Sequence, residues 1–203
     1  TIDHPSLSHV SSHPSKYRNV SSTFLELSHG QSILLDCGES TFGQLCRSFG
    51  CSKATQLAQQ GIKIIVISHI HADHHLGLIK FLELRSHEQT CASPLLLICP
   101  MQLMEWLVQY SSASGHPNLL SPSVVHFVPL QSLLVGVEIT DKVVRQVCDA
   151  IGIRPQTVVM EHCFDSHGIV LTHSSGWRIA FSGDGRPSKQ LIEAGKGSTL
   201  LSH

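Results

Sequence analysis

Charge is scarce in this chain of 203 residues: Asp, Glu, Lys and Arg together make up 14% of it. The 14 basic and 15 acidic side chains leave a formal net charge of −1. That balance implies no broad basic surface, so composition does not favour tight, unaided binding to nucleic acid. Aromatic residues are few, at 5%. No apolar run approaches the ~20 residues needed to span a bilayer, and no signal-peptide pattern opens the chain. No membrane partner is expected. No C-x-x-C pair occurs, and the cysteines (Cys37, Cys46, Cys51, Cys91, Cys99, Cys148 and Cys163) are odd in number. Free thiols in a reducing, intracellular compartment fit this better than a disulfide framework. Repeats and low-complexity tracts are lacking too. What the chain does have is 41% hydrophobic residues and 15 histidines. The apolar content suffices for one sizeable core, so residues 1–203 are read as a single domain.

The histidines are concentrated where chemistry needs them. Ser68-His69-Ile70-His71-Ala72-Asp73-His74-His75 follows Ile62-Lys63-Ile64-Ile65-Val66-Ile67, an apolar, β-branched run of strand length. Metal-ligand side chains at 69, 71, 73 and 74 therefore leave one strand end together. Imidazole with carboxylate suits zinc. His69 and His71 can point at one metal, and Asp73 and His74 can turn toward a second.

Strand patterns appear at 23–27 and 32–36, joined by a turn at His29-Gly30. Others follow at 62–67, 95–99, 124–128, 157–160, 169–172, 178–181 and from Leu200. Helical spacing marks 42–49, 53–60, 76–85, 101–110, 142–151 and 188–194. Hairpins first and strand–helix alternation afterwards predict a layered α/β protein.

More ligands lie just past later strands. His162 stands between Glu161 and Cys163, and Asp184 sits in Phe181-Ser182-Gly183-Asp184-Gly185. Glycines on both sides let the backbone turn sharply and carry the carboxylate close to a cation. Its two oxygens allow it to bridge. Two cations about 3.5–4 Å apart can clamp a phosphodiester, and each lowers the pKa of water. Asp73 is placed by position to orient that water or take its proton.

The pattern H-x-H-x-D-H, a distant His and then an Asp resembles metallo-β-lactamase-type hydrolases. Other segments narrow the resemblance. Pro14-Ser15-Lys16-Tyr17-Arg18-Asn19 is similar to the P-x-K-x-R-N loop of ribonuclease Z, the tRNA 3′-end endonuclease. Leu34-Leu35-Asp36-Cys37-Gly38-Glu39, His69 to Leu78, Glu161-His162-Cys163 and Phe181 to Pro187 resemble further stretches of that family, closest to the carboxy-terminal half of its long form. The resemblance implies an α/β fold, an αββα sandwich of two mixed sheets flanked by helices, incomplete at its C-terminal end. It implies a first zinc on His69, His71 and His162, a second on Asp73 and His74, and Asp184 bridging. Lys16, Arg18 and Asn19 would meet the RNA. Precursor tRNA would be cut after the discriminator nucleotide. The family's long forms work in nucleus and mitochondrion.

The chain also departs from that pattern. The stretch 7–13 lacks the family's glycine-rich turn, and Ser40 and Gly185 stand where long forms usually carry glycine and threonine. The chain stops at His203, which opens a catalytic H-E-A-T segment in the family. A later histidine of the second site, and the amino-terminal half that grips tRNA, would have to come from elsewhere or from a second subunit. Residues 1–203 alone are therefore expected to cleave precursor tRNA very poorly. Two rivals share the motif: a thioester hydrolase, against which the 14–19 segment argues, and a non-catalytic fragment or isoform. Nucleases with a large cap insertion do not fit, because only 21 residues separate His162 from Asp184.

Overall fold

The apolar runs pair edge to edge into two sheets. The computed structural model describes residues 5–7, 20–87 and 93–202, the first three by backbone alone. The larger sheet has the order β1 (Pro5–Leu7), β2 (Thr23–Glu26), β3 (Ser32–Leu35), β4 (Ile62–Val66), β5 (Leu95–Cys99), β6 (Val125–Pro129). Its first three strands run antiparallel, and β3 to β6 run parallel. A parallel strand covered on both faces reads as a continuous apolar run. That is why β4 and β5 are so legible. The second sheet places β7 (Ile153–Val159), β8 (His167–His173) and β9 (Arg178–Phe181) antiparallel, with β10 (Leu200–Ser202) parallel to β9 at its edge.

Alternation divides the side chains between layers. Ile33, Leu35, Ile64, Val66, Leu96 and Ile98 face Ile169, Leu171, Ile179 and Phe181 across the gap between the sheets. Leu34, Ile65, Leu95 and Leu97 face the opposite way, onto α1 (Thr41–Phe49), α2 (Cys51–Gln56), α4 (Leu78–Ser86) and α5 (Met101–Ser114). A short α3 (Ala72–His75) precedes α4. On the outer face of the second sheet, Val170 and Ala180 pack with Leu191 of α7 (Lys189–Ala194). Helix α6 (Lys142–Ile151) feeds Val144, Val147 and Ile151 into the inter-sheet core. Its start is fixed by Asp141, whose side chain accepts the N–H groups of Val143 and Val144. This is the expected sandwich of two mixed sheets between helices.

Some boundaries differ from the sequence reading. β7 begins at Ile153, four residues early, and includes Pro155. It tolerates proline because it is an edge strand, where one side of the backbone makes no ladder bonds. α5 runs on to Ser114 and stops at Gly115, which adopts φ 71°. The histidine segment is not all loop: Asp73, His74 and His75 lie on α3.

Ser40, before α1, has φ 68° and ψ 4°, the left-handed region. A side chain there costs about 1–2 kcal/mol relative to glycine. Ser40→Gly is expected to raise stability by about 0.5–1 kcal/mol after the added chain entropy of glycine is subtracted. Denaturant unfolding checks this, and an unchanged or lower midpoint would contradict it.

Candidate metal centre

Four strand ends deliver side chains to one point. Asp36 follows β3, residues 68–71 follow β4, residues 160–163 follow β7, and residues 182–184 follow β9. Backbone bonds lock these segments together. Asp36 donates its N–H to Val66 at 2.7 Å, Cys37 to His74 at 2.8 Å and His167 to Ser68 at 3.0 Å. Two glycines permit the approach of α3. A Cβ on Gly38 would stand 2.2 Å from the Asp73 carbonyl oxygen, and one on Gly77 would stand 2.1 Å from that of Gly38. Gly183 has φ +56°, and a Cβ there would meet Ser68 at 2.6 Å. The glycine before Asp184 thus permits the close approach of this loop to Ser68.

The result is a cluster of converging donors. His69 Nε2 lies 3.0 Å from His71 Nδ1, which lies 3.1 Å from His162 Nε2. Zinc–nitrogen bonds of about 2.0–2.1 Å in a tetrahedron bring ligand nitrogens to a similar spacing. Beside this trio, His74 Nε2 is 3.6 Å from Asp73 Oδ2 and 3.6 Å from Asp184 Oδ2. The same Asp184 oxygen is 3.9 Å from His162 Nε2. It therefore lies close to both His162 and His74.

Protonation differs across the cluster. Burial, reinforced by His74, His71 and His162, lowers the His69 pKa to about 3, so its ring is neutral near pH 7. Burial also pulls His74 down, but the hydrogen bond and charge of Asp36, with Asp184 and Asp73, outweigh it and leave the pKa raised. His74 Nε2 is buried and has no hydrogen-bond partner among the described residues. A buried imidazole nitrogen without a hydrogen-bond partner among the described residues, close to two carboxylates, is an environment that fits a metal ligand. The donor set of imidazoles and carboxylates suits zinc chemically.

The second row of contacts was not assigned roles from sequence. Asp36, fully buried, accepts from His74 Nδ1 at 2.6 Å, from the Ser68 N–H at 2.8 Å and from Ser68 Oγ at 3.0 Å. Ser68 Oγ also lies 2.9 Å from His69 Nδ1. A carboxylate behind a ligand histidine fixes its tautomer and ring orientation. The available signal was a carboxylate ending the apolar strand 32–35. Cys163 is a further surprise: its thiol lies with His69, His71 and His162, all ligand atoms within 4.8 Å of one another. His75 turns away, its ring 5.3 Å from Trp106. His173 stacks on Trp177 at the far end of β8, with ring centroids 4.7 Å apart.

So His69, His71, Asp73, His74, His162 and Asp184 are brought together. Lys16, Arg18, Asn19 and His203 lie outside the described residues. Beside the cluster, Glu161, His162, Asp184, Gly185 and Arg186 line an open cavity of about 510 Å³.

Comparison with known proteins agrees with this geometry. The profile of the Metallo-beta-lactamase superfamily matches residues 16–196. The "Zinc phosphodiesterase ELAC protein 2" of Mus musculus is 39% identical over 201 residues, covering 94% of this chain and 23% of that protein. "Ribonuclease Z, mitochondrial" of Drosophila melanogaster is 36% identical over 196 residues, with 94% and 24% covered. The chain thus spans about a quarter of the length of these relatives. Among solved structures, a long form RNase Z from yeast superposes with a TM-score of 0.81 at 24% identity, covering 97% of this chain and 31% of that one. Human tRNase Z, short form, gives 0.69 at 22% identity, with 96% and 73% covered. The chain belongs to the metallo-beta-lactamase superfamily, with its sequence relatives among the zinc phosphodiesterase and ribonuclease Z proteins.

Proposed function

We propose that this chain is the catalytic part of a zinc-dependent endoribonuclease that removes the 3′ trailer from precursor tRNA, hydrolysing the phosphodiester after the discriminator nucleotide. The observation that carries the reading is the Asp184 oxygen standing between His74 Nε2 and His162 Nε2. The names of the similar proteins supply the substrate class. In this reading residues 1–203 form one domain. His69, His71 and His162 hold one zinc, Asp73 and His74 hold a second, and Asp184 is shared. Bound there, the two ions supply positive charge to the phosphate and lower the pKa of the attacking water.

The chain's own residues do the rest. Asp73, partly exposed at 15%, orients the water or accepts its proton. Asp36 and Ser68 hold His74 and His69 in register. Lys16, Arg18 and Asn19 meet the RNA near the cut, and His203 contributes to charge stabilisation. The near-neutral charge of the chain fits a partner, an amino-terminal half or a second subunit, that supplies much of the grip on tRNA. One relative's name includes the mitochondrion, and a mitochondrial or nuclear location is part of the proposal.

The test is a chimera in which this chain replaces the matching segment of the mouse relative. Incubated with precursor tRNA and zinc or manganese, it should cleave after the discriminator base. A folded, zinc-loaded chimera that leaves the precursor intact would contradict the reading. Lys16 and Arg18 give a separate check. If each meets a phosphate, Lys16→Ala and Arg18→Ala should each weaken RNA binding and reduce its log–log salt slope by about one. An unchanged slope in both would make this an ordinary surface turn.

A further inference from the structure

Two thiols meet at the corner between α1 and α2, away from the histidine cluster. α1 ends at Phe49, Gly50 adopts φ 81° and ψ 150°, and α2 opens with Cys51. The Gly50 N–H donates to the Cys46 carbonyl oxygen at 2.9 Å, and the Ala54 N–H donates to that of Gly50 at 3.0 Å. Residues five apart in one unbroken helix lie about 140° apart around its axis. The break at Gly50 cancels that separation, and its positive φ needs glycine. The side chains of Cys46 and Cys51 are then joined by a hydrogen bond. Phe49, inside the corner, packs on Phe24 of β2 with ring centroids 5.5 Å apart, which seats the corner on the sheet. Cys51 is exposed and Cys46 half-buried, whereas Cys37, Cys99 and Cys148 are buried in the core.

From this geometry we infer that Cys46 and Cys51 are a modification site for small-molecule disulfides such as glutathione disulfide, and that they close into a reversible bond with each other. The site is independent of the metal centre and of the RNA reading. Cys51, the exposed thiol, loses its proton to solvent and attacks one sulfur of the small disulfide. That S–S bond breaks, one glutathione thiolate leaves, and a mixed disulfide forms on Cys51. Cys46 then loses its proton, attacks the Cys51 sulfur and releases the second glutathione. Two protein thiols are oxidised and one small disulfide is reduced to two thiols. Burial and the hydrogen bond to Cys51 raise the Cys46 pKa, with Arg47 working against them, so Cys46 reacts second. Its attack is intramolecular, and proximity offsets its low thiolate fraction. Such transient bonds are the kind found in reducing compartments.

The experiment exposes the folded 203-residue chain to glutathione disulfide and reads intact mass and tryptic peptides. Arg47 lies between the two cysteines, so trypsin separates them unless a bond joins the fragments. The wild-type chain should lose two thiols and about 2 Da, retain no glutathione, and yield fragment 19–47 linked to 48–53. Cys37, also in the first fragment, should stay open to alkylation after unfolding. Dithiothreitol should restore both thiols. Cys46→Ser should trap one glutathione on Cys51, and Cys51→Ser should form no internal bond. Glutathione persisting on Cys51 of the wild type would overturn the inference. So would a bond to Cys37, Cys91 or Cys163, a bond between two chains, or both thiols remaining free.

Discussion

Asp36→Ala is expected to cripple the second half of the metal centre and to lower stability by about 3–5 kcal/mol. Asp36 is 0% exposed and forms the hub between β3, β4 and α3. Its removal strands the buried Ser68 N–H, which costs about 1–3 kcal/mol by itself. It also removes the charge that outweighs the burial of His74 and leaves that ring free to turn. Loss of such an orienting carboxylate typically weakens metal binding by about 10–100-fold. Asp36→Asn should be milder. Its carbonyl can still accept the Ser68 N–H, and asparagine tolerates the left-handed backbone seen here, φ 58°. Calorimetry and zinc titration of the two variants check the order wild type, Asn, Ala. Wild-type stability and metal affinity in Asp36→Ala would show that the hub is dispensable.

Asp73→Ala should leave the fold nearly intact and remove the chemistry. The side chain is partly exposed and makes no contact that the core depends on. Its oxygen lies 3.6 Å from His74 Nε2, and in the proposed function it would be both a ligand and the group that takes the proton of the attacking water. Loss of general-base assistance alone costs about 10²–10⁴ in rate, and the missing ligand adds to that. In the chimera described above, cleavage of precursor tRNA should fall by at least about 10³-fold, with the unfolding midpoint little changed. A variant that folds, binds zinc and cleaves within about tenfold of the parent would exclude Asp73 from the proton transfer.

The parts of this site that were legible in sequence share one property: ligand type and strand context fall in a single stretch. β4 is a continuous apolar run, and His69, His71, Asp73 and His74 follow within one turn of chain. Asp184 stood out in sequence because glycines flank it, and at Gly183 the backbone has φ +56° with no room for a Cβ beside Ser68. Asp36 was not readable as a second-row ligand. Its partner His74 lies 38 residues away, and only the parallel pairing of β3 with β4 brings them together. Cys163 reads in sequence only as a flank of His162, because the fold alone sets its sulfur near His69 and His71. The early start of β7 was hidden by Pro155, which a central strand would not accept but an edge strand does. The end of α5 was hidden by Ser111, Ser112 and Ser114, which carry no apolar period.

The account stands most directly on the metal content of the purified 203-residue chain. In the proposed arrangement, among the described residues, the first site would have His69, His71 and His162 with Asp184, whereas the second would have one imidazole, His74, with Asp73 and the shared Asp184. The first should therefore hold zinc the more tightly. Elemental analysis after gentle purification should give nearer one zinc than two per chain, and His71→Ala should lower it further. Zero zinc in the folded wild-type chain would contradict the assignment of this cluster as a metal centre.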